Sequence, residues 1–276
     1  MVLYPLSADK NSSARLTIGS KDPISAWEAV DRKQKQNAEE WWLIAQPDHA
    51  ALAGDIAANL QSPFIPKLDA QVLRAISLHD SGWARFDGGE RGTGRDLEVS
   101  LCDPKIDENG RPLSFLEISL QDFLQAWTES IERAEEAVPM GAAMVSEHFS
   151  RLAESRLRTH SDAQEDTRKL QEFVDCEKRR QNHLLMQHDG SPDELGKLTD
   201  VLQFCDLLSL YLCCGAQENV EFPQNFTGHA IRLLRENEMC RLDPPVLGDG
   251  VSLGVTARRY PLCGAIEITT LPFLLS

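Results

Sequence analysis

The chain has 276 residues, of which 42% are hydrophobic, so it can bury a core without a structural metal or disulfide bonds. Its 43 acidic and 28 basic residues give a net charge of -15, which disfavours long nucleic acids and anionic membrane surfaces as partners. Seven cysteines without CxxC spacing, no signal-peptide pattern and no run of 18 apolar residues predict a cytoplasmic protein that does not span a membrane.

The first 60 residues predict two strands, each followed by a helix. The segment SARLTIG favours a strand and PISAWEAVDRKQKQ favours a helix. The apolar run WWLIAQ (41–46) has the length and bulk of a buried strand and stops at Pro47. The following PDHAALAGDIAANL predicts a helix, with proline in its first turn and Asp48 at its positive end. His49 is therefore expected at a helix N-terminus.

A further helix is predicted after SPFIPK, because apolar residues recur there at helical spacing. This helix leads into His79 and Asp80 in the segment ISLHDSGW. Gly82 is expected to end it. Between Gly88 and Pro112 the chain is rich in Gly, Arg, Asp and Pro, which predicts a long exposed loop. That loop can be plain disorder or a mobile lid that offers guanidinium groups to a phosphate.

Three more helical regions are predicted: Ser119 to about Leu157 with a break at Pro139, about Asp162 to Met186, and the segment that follows SPDE at 191–194. The last of these, LGKLTDVLQFCDLLSLYLCC, is apolar on nearly every side, which indicates a buried helix. Beyond Gly215, the segments VEFPQNF, HAIRLLREN, VSLGVTARRYP and GAIEITTLPFLL favour short strands.

These elements predict a mainly α fold in a single domain, residues 1–276. The expected domain has a helical core of about 45–215 and a small β-rich portion packed on that core. The C-terminal segment of about 216–276 forms the β-rich portion, and the N-terminal segment is a further candidate for it.

Asp206 interrupts the apolar helix VLQFCDLLSLYL, and a buried carboxylate is costly unless a positive group meets it. No Lys or Arg lies between residues 202 and 210. A metal cation held jointly with histidines would satisfy the charge, since neutral imidazoles and carboxylates are ligands for divalent transition metals. His49, the pair His79-Asp80, and Asp206 give the order H…HD…D on three helices.

This order resembles the HD-domain superfamily of metal-dependent phosphohydrolases over roughly residues 40–215. The flanking segments QPDHA, LHDSGW and SEHFSRLAE resemble a bacterial branch of it that is a domain of unknown function. The resemblance implies an HD-domain-like helical bundle. It also implies that four residues bind one or two divalent ions (Mn, Fe, Ni, Zn or Mg), with His79 and Asp80 at the catalytic centre: His49, His79, Asp80 and Asp206.

Some HD-domain enzymes hold a second metal with further histidines, and this makes His148 a candidate ligand, beside the apolar face of MVSEHFSRLAE. The remaining histidines are expected at the surface. Three arginines that follow the HD pair are candidate contacts for a substrate anion: Arg85, Arg91 and Arg95. Trp83 and Phe86 could wall a pocket or anchor the loop by burial.

The resemblance predicts a metal-dependent hydrolase, specifically a phosphohydrolase that acts on a small phosphoester or nucleotide, and it is compatible with a homo-oligomer. Two alternatives stay open at this level. One is a non-catalytic protein that binds a metal or ligand, because a fold does not by itself confer a function. The other is a di-iron oxygenase, since such sites use the same ligand types.

Each candidate ligand also has a structural explanation. His49 could be an ordinary histidine at a helix start, and His79-Asp80 a solvated pair at a helix end. Asp206 could pair with a buried arginine from another helix, and His148 could be a satisfied histidine beside the core. Which explanation applies depends on whether these side chains meet in the folded protein.

Overall fold

A computed structural model describes residues 1–6, 26–87, 103–236, 239–248, 250–261 and 266–276. The helices in these ranges are α1 (Ala26–Gln34), α2 (Gln46–Ala58), α3 (Ala70–Leu78), α4 (Ala84–Asp87), α5 (Leu120–Ala137), α6 (Pro139–Thr159), α7 (Gln164–Gln187) and α8 (Pro192–Cys213). The strands are β1 (Val2–Pro5), β2 (Trp41–Ile44), β3 (Val220–Phe226), β4 (His229–Glu236), β5 (Met239–Asp243), β6 (Val251–Tyr260) and β7 (Ile268–Leu275).

All seven strands belong to one sheet, in the order β1-β2-β6-β7-β5-β4-β3. Neighbouring strands are antiparallel except β5 and β7, which are parallel and meet at Cys240 and Leu275. The sheet curls into a half-barrel, and the protein is 54% helical and 21% strand. The prediction of a mainly α fold with a small β-rich portion is therefore wrong in its second part: helices do predominate, but a seven-stranded sheet is a principal part of the fold.

The reason for this error is long-range strand pairing. Strand β2 pairs with β6, so that Trp41 lies opposite Tyr260. Strand β1 in turn pairs with β2. Strand β2 lies in the run that was predicted as a buried strand, and β1 was not predicted. Nothing in the sequence of either strand shows that it extends a sheet formed mainly by the last 57 residues, 220–276.

The predicted helical regions are confirmed, including the break at Pro139, which begins α6 immediately after α5. Helix α8 is buried along most of its length, because it packs against α2 and α6 and against strand β3. The predicted strand SARLTIG and most of the predicted loop of residues 88–112 lie outside the described residues. None of the described helices is both long and apolar enough to cross a membrane.

The short 3-10 turn Ser81–Trp83 follows the HD pair and is held tightly against α5. The backbone N–H of Gly82 donates to the Ser130 hydroxyl at 2.9 Å. Trp83 is buried and makes an edge-to-face contact with Phe123, with 5.1 Å between ring centroids. Trp83 is thus buried, as the anchoring role requires, and together with Phe86 it also lines a small cavity beside Lys105.

Gly82 has no room for a side chain. A Cβ at this position would lie 2.2 Å from the carbonyl oxygen of Ala126 and 2.5 Å from the backbone nitrogen of Ser130. Real Cβ atoms essentially never come this close to backbone atoms. A larger residue would push the 3-10 turn, and the HD pair before it, away from α5.

We expect Gly82→Ala to lower the free energy of unfolding by about 1–3 kcal/mol, because the extra methyl group overpacks a backbone contact. The matched control is Gly196→Ala in α8, where a Cβ would meet only the Arg151 guanidinium at 3.6 Å. This control should be as stable as the wild type or up to about 1 kcal/mol more stable, since alanine favours a helix. Urea denaturation of the metal-free proteins measures both, and equal stabilities would contradict the close-packing account.

Candidate metal centre

Four side chains that are far apart in the sequence meet inside the helical layer: His49, His79, Asp80 and Asp206. His49 comes from the first turns of α2, the HD pair from the end of α3, and Asp206 from the middle of α8. One nitrogen or oxygen atom of each lies within 4.8 Å of those of the others. The imidazoles are fully buried, and each aspartate is 7% exposed. This group could hold a metal ion.

The start of α2 is fixed by a second carboxylate. Ala45 precedes the helix and offers no side-chain cap. Instead Asp87, at the end of α4, accepts a 2.8 Å hydrogen bond from the backbone N–H of Gln46. The negative charge also suits the positive end of the helix. Asp87 therefore sets the position of the helix turn that carries His49.

His79 is oriented by its own helix end. Its Nδ1 lies 2.7 Å from the carbonyl oxygen of Ile76. A carbonyl can only accept a hydrogen bond, so Nδ1 carries a proton. The other ring nitrogen, Nε2, then faces two carboxylates: it lies 3.2 Å from Asp206 Oδ1 and 3.8 Å from Asp80 Oδ2. Metal-bound histidines in proteins are typically held in this way, through a bond from the other nitrogen to a carbonyl or carboxylate.

His49 lies at right angles to His79, with 5.3 Å between ring centroids. Its Nε2 is 2.8 Å from Asp80 Oδ2, and its Nδ1 is 2.9 Å from the hydroxyl oxygen of Ser209. Ser209 lies three residues after Asp206 in α8 and is fully buried. His49 thus directs Nε2 toward Asp80, and its Nδ1 lies 3.9 Å from Asp206 Oδ1, whereas His79 directs Nε2 toward both carboxylates.

Protonation of His79 holds the two carboxylates together in the metal-free protein. Burial lowers the pKa of His79, but Asp80 and the hydrogen bond to Asp206 outweigh it and raise the pKa to about 9. Burial likewise raises the pKa of Asp206, yet the hydrogen bond and charge of His79 bring it down to about 2. Both shifts show that two negative groups face each other here and require a positive charge between them.

In the described part of the chain, the ion-pair partners of Asp206 are histidines and not an arginine or lysine. The alternative in which Asp206 pairs with a buried arginine is therefore not what the structure shows. The alternative of a solvated His79-Asp80 pair also fails, because His79 is fully buried and Asp80 nearly so.

His148 lies beside the group of four. It is 2% exposed, and its Nε2 is 3.8 Å from Asp206 Oδ2. Its ring meets that of His79 edge to face, with 5.6 Å between centroids. Burial lowers the pKa of His148 to about 4, so the ring is neutral at pH 7. Within the described residues, its Nδ1 has no hydrogen-bond partner. His148 is thus a neutral imidazole that faces one carboxylate oxygen of Asp206, while His79 faces the other.

The other predicted site residues are placed differently. Arg85 is half exposed and pairs with Glu129 on α5. Arg91 and Arg95 lie outside the described residues. The remaining histidines are exposed, as predicted: His160, His183, His188 and His229.

Three residues near the centre were not found from the sequence. Arg133 on α5 donates to the carbonyl oxygen of Ser81, next to Asp80, at 2.9 Å. Arg151 lies one turn after His148 and bonds Gln203, one turn before Asp206, at 3.2 Å. Ser209 is one turn after Asp206. Arg151 and Ser209 could have been found from the sequence, because each lies one helical turn after a candidate ligand. The sequence around Arg133 gives no such signal.

A family model with the description "Protein of unknown function (DUF3891)" matches residues 34–259. The chain belongs to this family, and the matched stretch contains the four clustered residues together with His148 and Ser209. Comparisons with curated proteins and with solved structures found no match.

We expect Asp206→Asn to weaken binding of Co(II) to chelator-treated protein by at least about 100-fold, because a negatively charged donor is replaced by a neutral amide. The matched control is Asp200→Asn on the same helix, whose carboxylate is 40% exposed and pairs with Arg151 outside the group of four. The control should bind Co(II) as the wild type does. Wild-type affinity in Asp206→Asn would remove this residue from the ligand set.

Proposed function

We propose that this protein is a metal-dependent phosphohydrolase that acts on a small phosphoester or a nucleotide. The observation that carries the proposal is the orientation of His79. Since Ile76 holds its Nδ1 proton, its Nε2 lone pair points at Asp206 and Asp80, which are also acceptors. Only a cation between them makes this arrangement favourable. A proton fulfils that role in the metal-free protein, and a metal ion bound by the same atoms would replace it.

The donor set supports a divalent transition metal. Two imidazoles and two carboxylates suit Mn, Fe, Ni or Zn, and the carboxylates alone would suit Mg. No sulfur ligand is among the four. The same donor types in the order H…HD…D are the basis of the resemblance to the HD-domain superfamily, and a phosphoester substrate is taken from that resemblance.

We further propose that His148 contributes to binding of a second ion. Asp206 has one carboxylate oxygen toward His79 and the other toward His148, so it can serve two positions at once. His148 is already neutral, so ligand binding does not require it to lose a proton.

A divalent cation at this centre would polarise the phosphoryl oxygen and lower the pKa of a bound water toward neutrality. The chain supplies the remaining functions. Burial of the imidazoles excludes bulk water, and the small exposed fractions of Asp80 and Asp206 leave a narrow approach to the carboxylates. Arg133 is a described cation in contact with the residue after Asp80, so we propose it as a contact for the substrate anion, whereas Arg151 is already paired with Glu147 and Asp200.

The test starts with elemental analysis of protein purified without chelator, followed by assays of chelator-treated protein with added Mn(II), Fe(II), Ni(II), Zn(II) or Mg(II). The substrates are phosphomonoesters, phosphodiesters and nucleotides. We expect bound metal and metal-dependent release of phosphate or of a nucleotide product. His79→Ala should reduce the rate by at least about 100-fold, a typical loss when an important stabilising group is removed.

The matched control is His183→Ala, which removes an exposed histidine from α7 and should retain the wild-type rate. Protein that contains no metal and does not respond to any of the five ions would refute the proposal. Tight metal binding without turnover across the panel would favour a non-catalytic metal-binding protein. Oxygen consumption with Fe(II) and a candidate substrate would favour an oxygenase.

A further inference from the structure

Helices α6 and α8 carry the two residues proposed to share a second ion, His148 and Asp206, and an arginine joins the helices close to both. Arg151 lies one turn after His148 on α6. Its Nη1 donates to Asp200 Oδ1 at 2.7 Å and to Gln203 Oε1 at 3.2 Å, both on α8. Gln203 lies one turn before Asp206. The bridge therefore connects the helices one turn from the place where His148 and Asp206 meet.

The direction of the guanidinium is fixed by its own helix. Arg151 Nε donates to Glu147 Oε1, one turn earlier on α6, at 2.7 Å. On α8, Nη2 also donates to the backbone carbonyl of Gly196 at 3.4 Å. A guanidinium is planar and its donors point in fixed directions, so it holds acceptors on two helices at a defined distance from each other. Arg151 thus sets the spacing of α6 and α8 as well as neutralising nearby carboxylates.

This spacing matters because His148 and Asp206 are near the limit of separation for a shared ion. His148 Nε2 lies 3.8 Å from Asp206 Oδ2, which is too far for a hydrogen bond. Nitrogen and oxygen ligands bind a transition metal at about 2.0–2.2 Å, so two such atoms on one ion are at most about 4.3 Å apart. The margin is therefore only about 0.5 Å. A small movement of α6 away from α8 would take His148 out of reach of the ion.

We infer that Arg151 is a positioning residue that holds His148 close enough to Asp206 for the two to bind a second ion. The inference rests on the proposed function, in which these two residues bind that ion. A guanidinium has no lone pair for a metal, so Arg151 acts through the two helices. The first ion is assigned to the four clustered residues, none of which lies on α6. Loss of Arg151 should therefore affect the second ion selectively.

The charge of Arg151 would by itself have the opposite effect. Burial is the main cause of the low pKa of His148, and the positive charge of Arg151 also lowers it. The same repulsion acts on a metal cation bound by His148. If Arg151 acted only through its charge, a neutral replacement would strengthen binding of the second ion. A positioning role predicts weaker binding, so the sign of the change distinguishes the two.

The experiment compares Arg151→Gln and Arg151→Lys with the wild type by equilibrium dialysis of chelator-treated protein against Co(II). Glutamine removes the charge and the planar guanidinium, whereas lysine keeps only the charge. We expect both variants to bind the first ion as the wild type does, which also shows that they are folded. The second ion should bind about 10–100-fold more weakly to both, a range typical of residues that orient metal ligands.

The matched control is Arg156→Gln on the same helix. The Arg156 guanidinium donates two hydrogen bonds of 2.8 Å to Asp162, which follows the end of α6. This variant loses the same charge and should bind both ions as the wild type does. Asp200→Asn retains an acceptor oxygen for Arg151 and should likewise leave both affinities unchanged.

The outcomes separate this inference from the proposed function. A second-ion affinity that is unchanged or stronger in Arg151→Gln would overturn the positioning role while the metal centre stands. An equal loss of both ions would also overturn it, because Arg151 would then support the fold in general. A wild type that binds one Co(II) would refute the second ion and this inference with it. A wild type that binds none would refute the metal centre itself.

Discussion

The structure depends on a pair of buried carboxylates that require a positive charge between them. Asp206 lies in a helix that is buried along most of its length, and Asp80 lies just after the end of α3. Removing such ions from water costs several kcal/mol each unless cationic groups or donors surround them. Helices α2, α3 and α6 therefore each bring a histidine to this point, and the packing of α2 and α6 on α8 places them there.

The backbone fixes most of the centre. The carbonyl of Ile76 holds His79, and the 3-10 turn that follows Asp80 is pressed on α5 so closely that Gly82 has no space for a Cβ. Asp87 fixes the first turn of α2. These contacts limit the movement of the ligand side chains before any ion binds. Preorganisation of this kind strengthens ion binding, because little conformational freedom is lost when the ion arrives.

The sheet supports this arrangement from one side. Strand β2 leads through Ala45 directly into α2, so the position of the strand determines where the helix that carries His49 begins. The main hydrophobic core includes residues from the strands as well as from the helices, among them Ile44, Leu52 and Val255. The sheet therefore forms part of the same core as the helices that supply the ligands.

The sequence by itself determined the helices, most of the strands and the candidate ligands, but not β1 or β5. Helical periodicity and the break at Pro139 located the long helices, and a carboxylate within an apolar helix singled out Asp206. These features depend on neighbours within a few residues. The order H…HD…D, with the resemblance that it carries, named four of the residues that meet at the centre before their distances were known: His49, His79, Asp80 and Asp206.

Only the tertiary structure decided how these elements combine. Pairing of β2 with β6 joins residues more than 200 positions apart. Because of this pairing, the protein has a helical layer with a seven-stranded sheet, where the sequence predicted a helical bundle with a small β-rich portion. The contacts of Ser209 with His49 and of Arg133 with Ser81 likewise join distant segments. Local patterns encode which face of an element is buried, but not which distant partner covers it, because that choice depends on the packing of the whole chain.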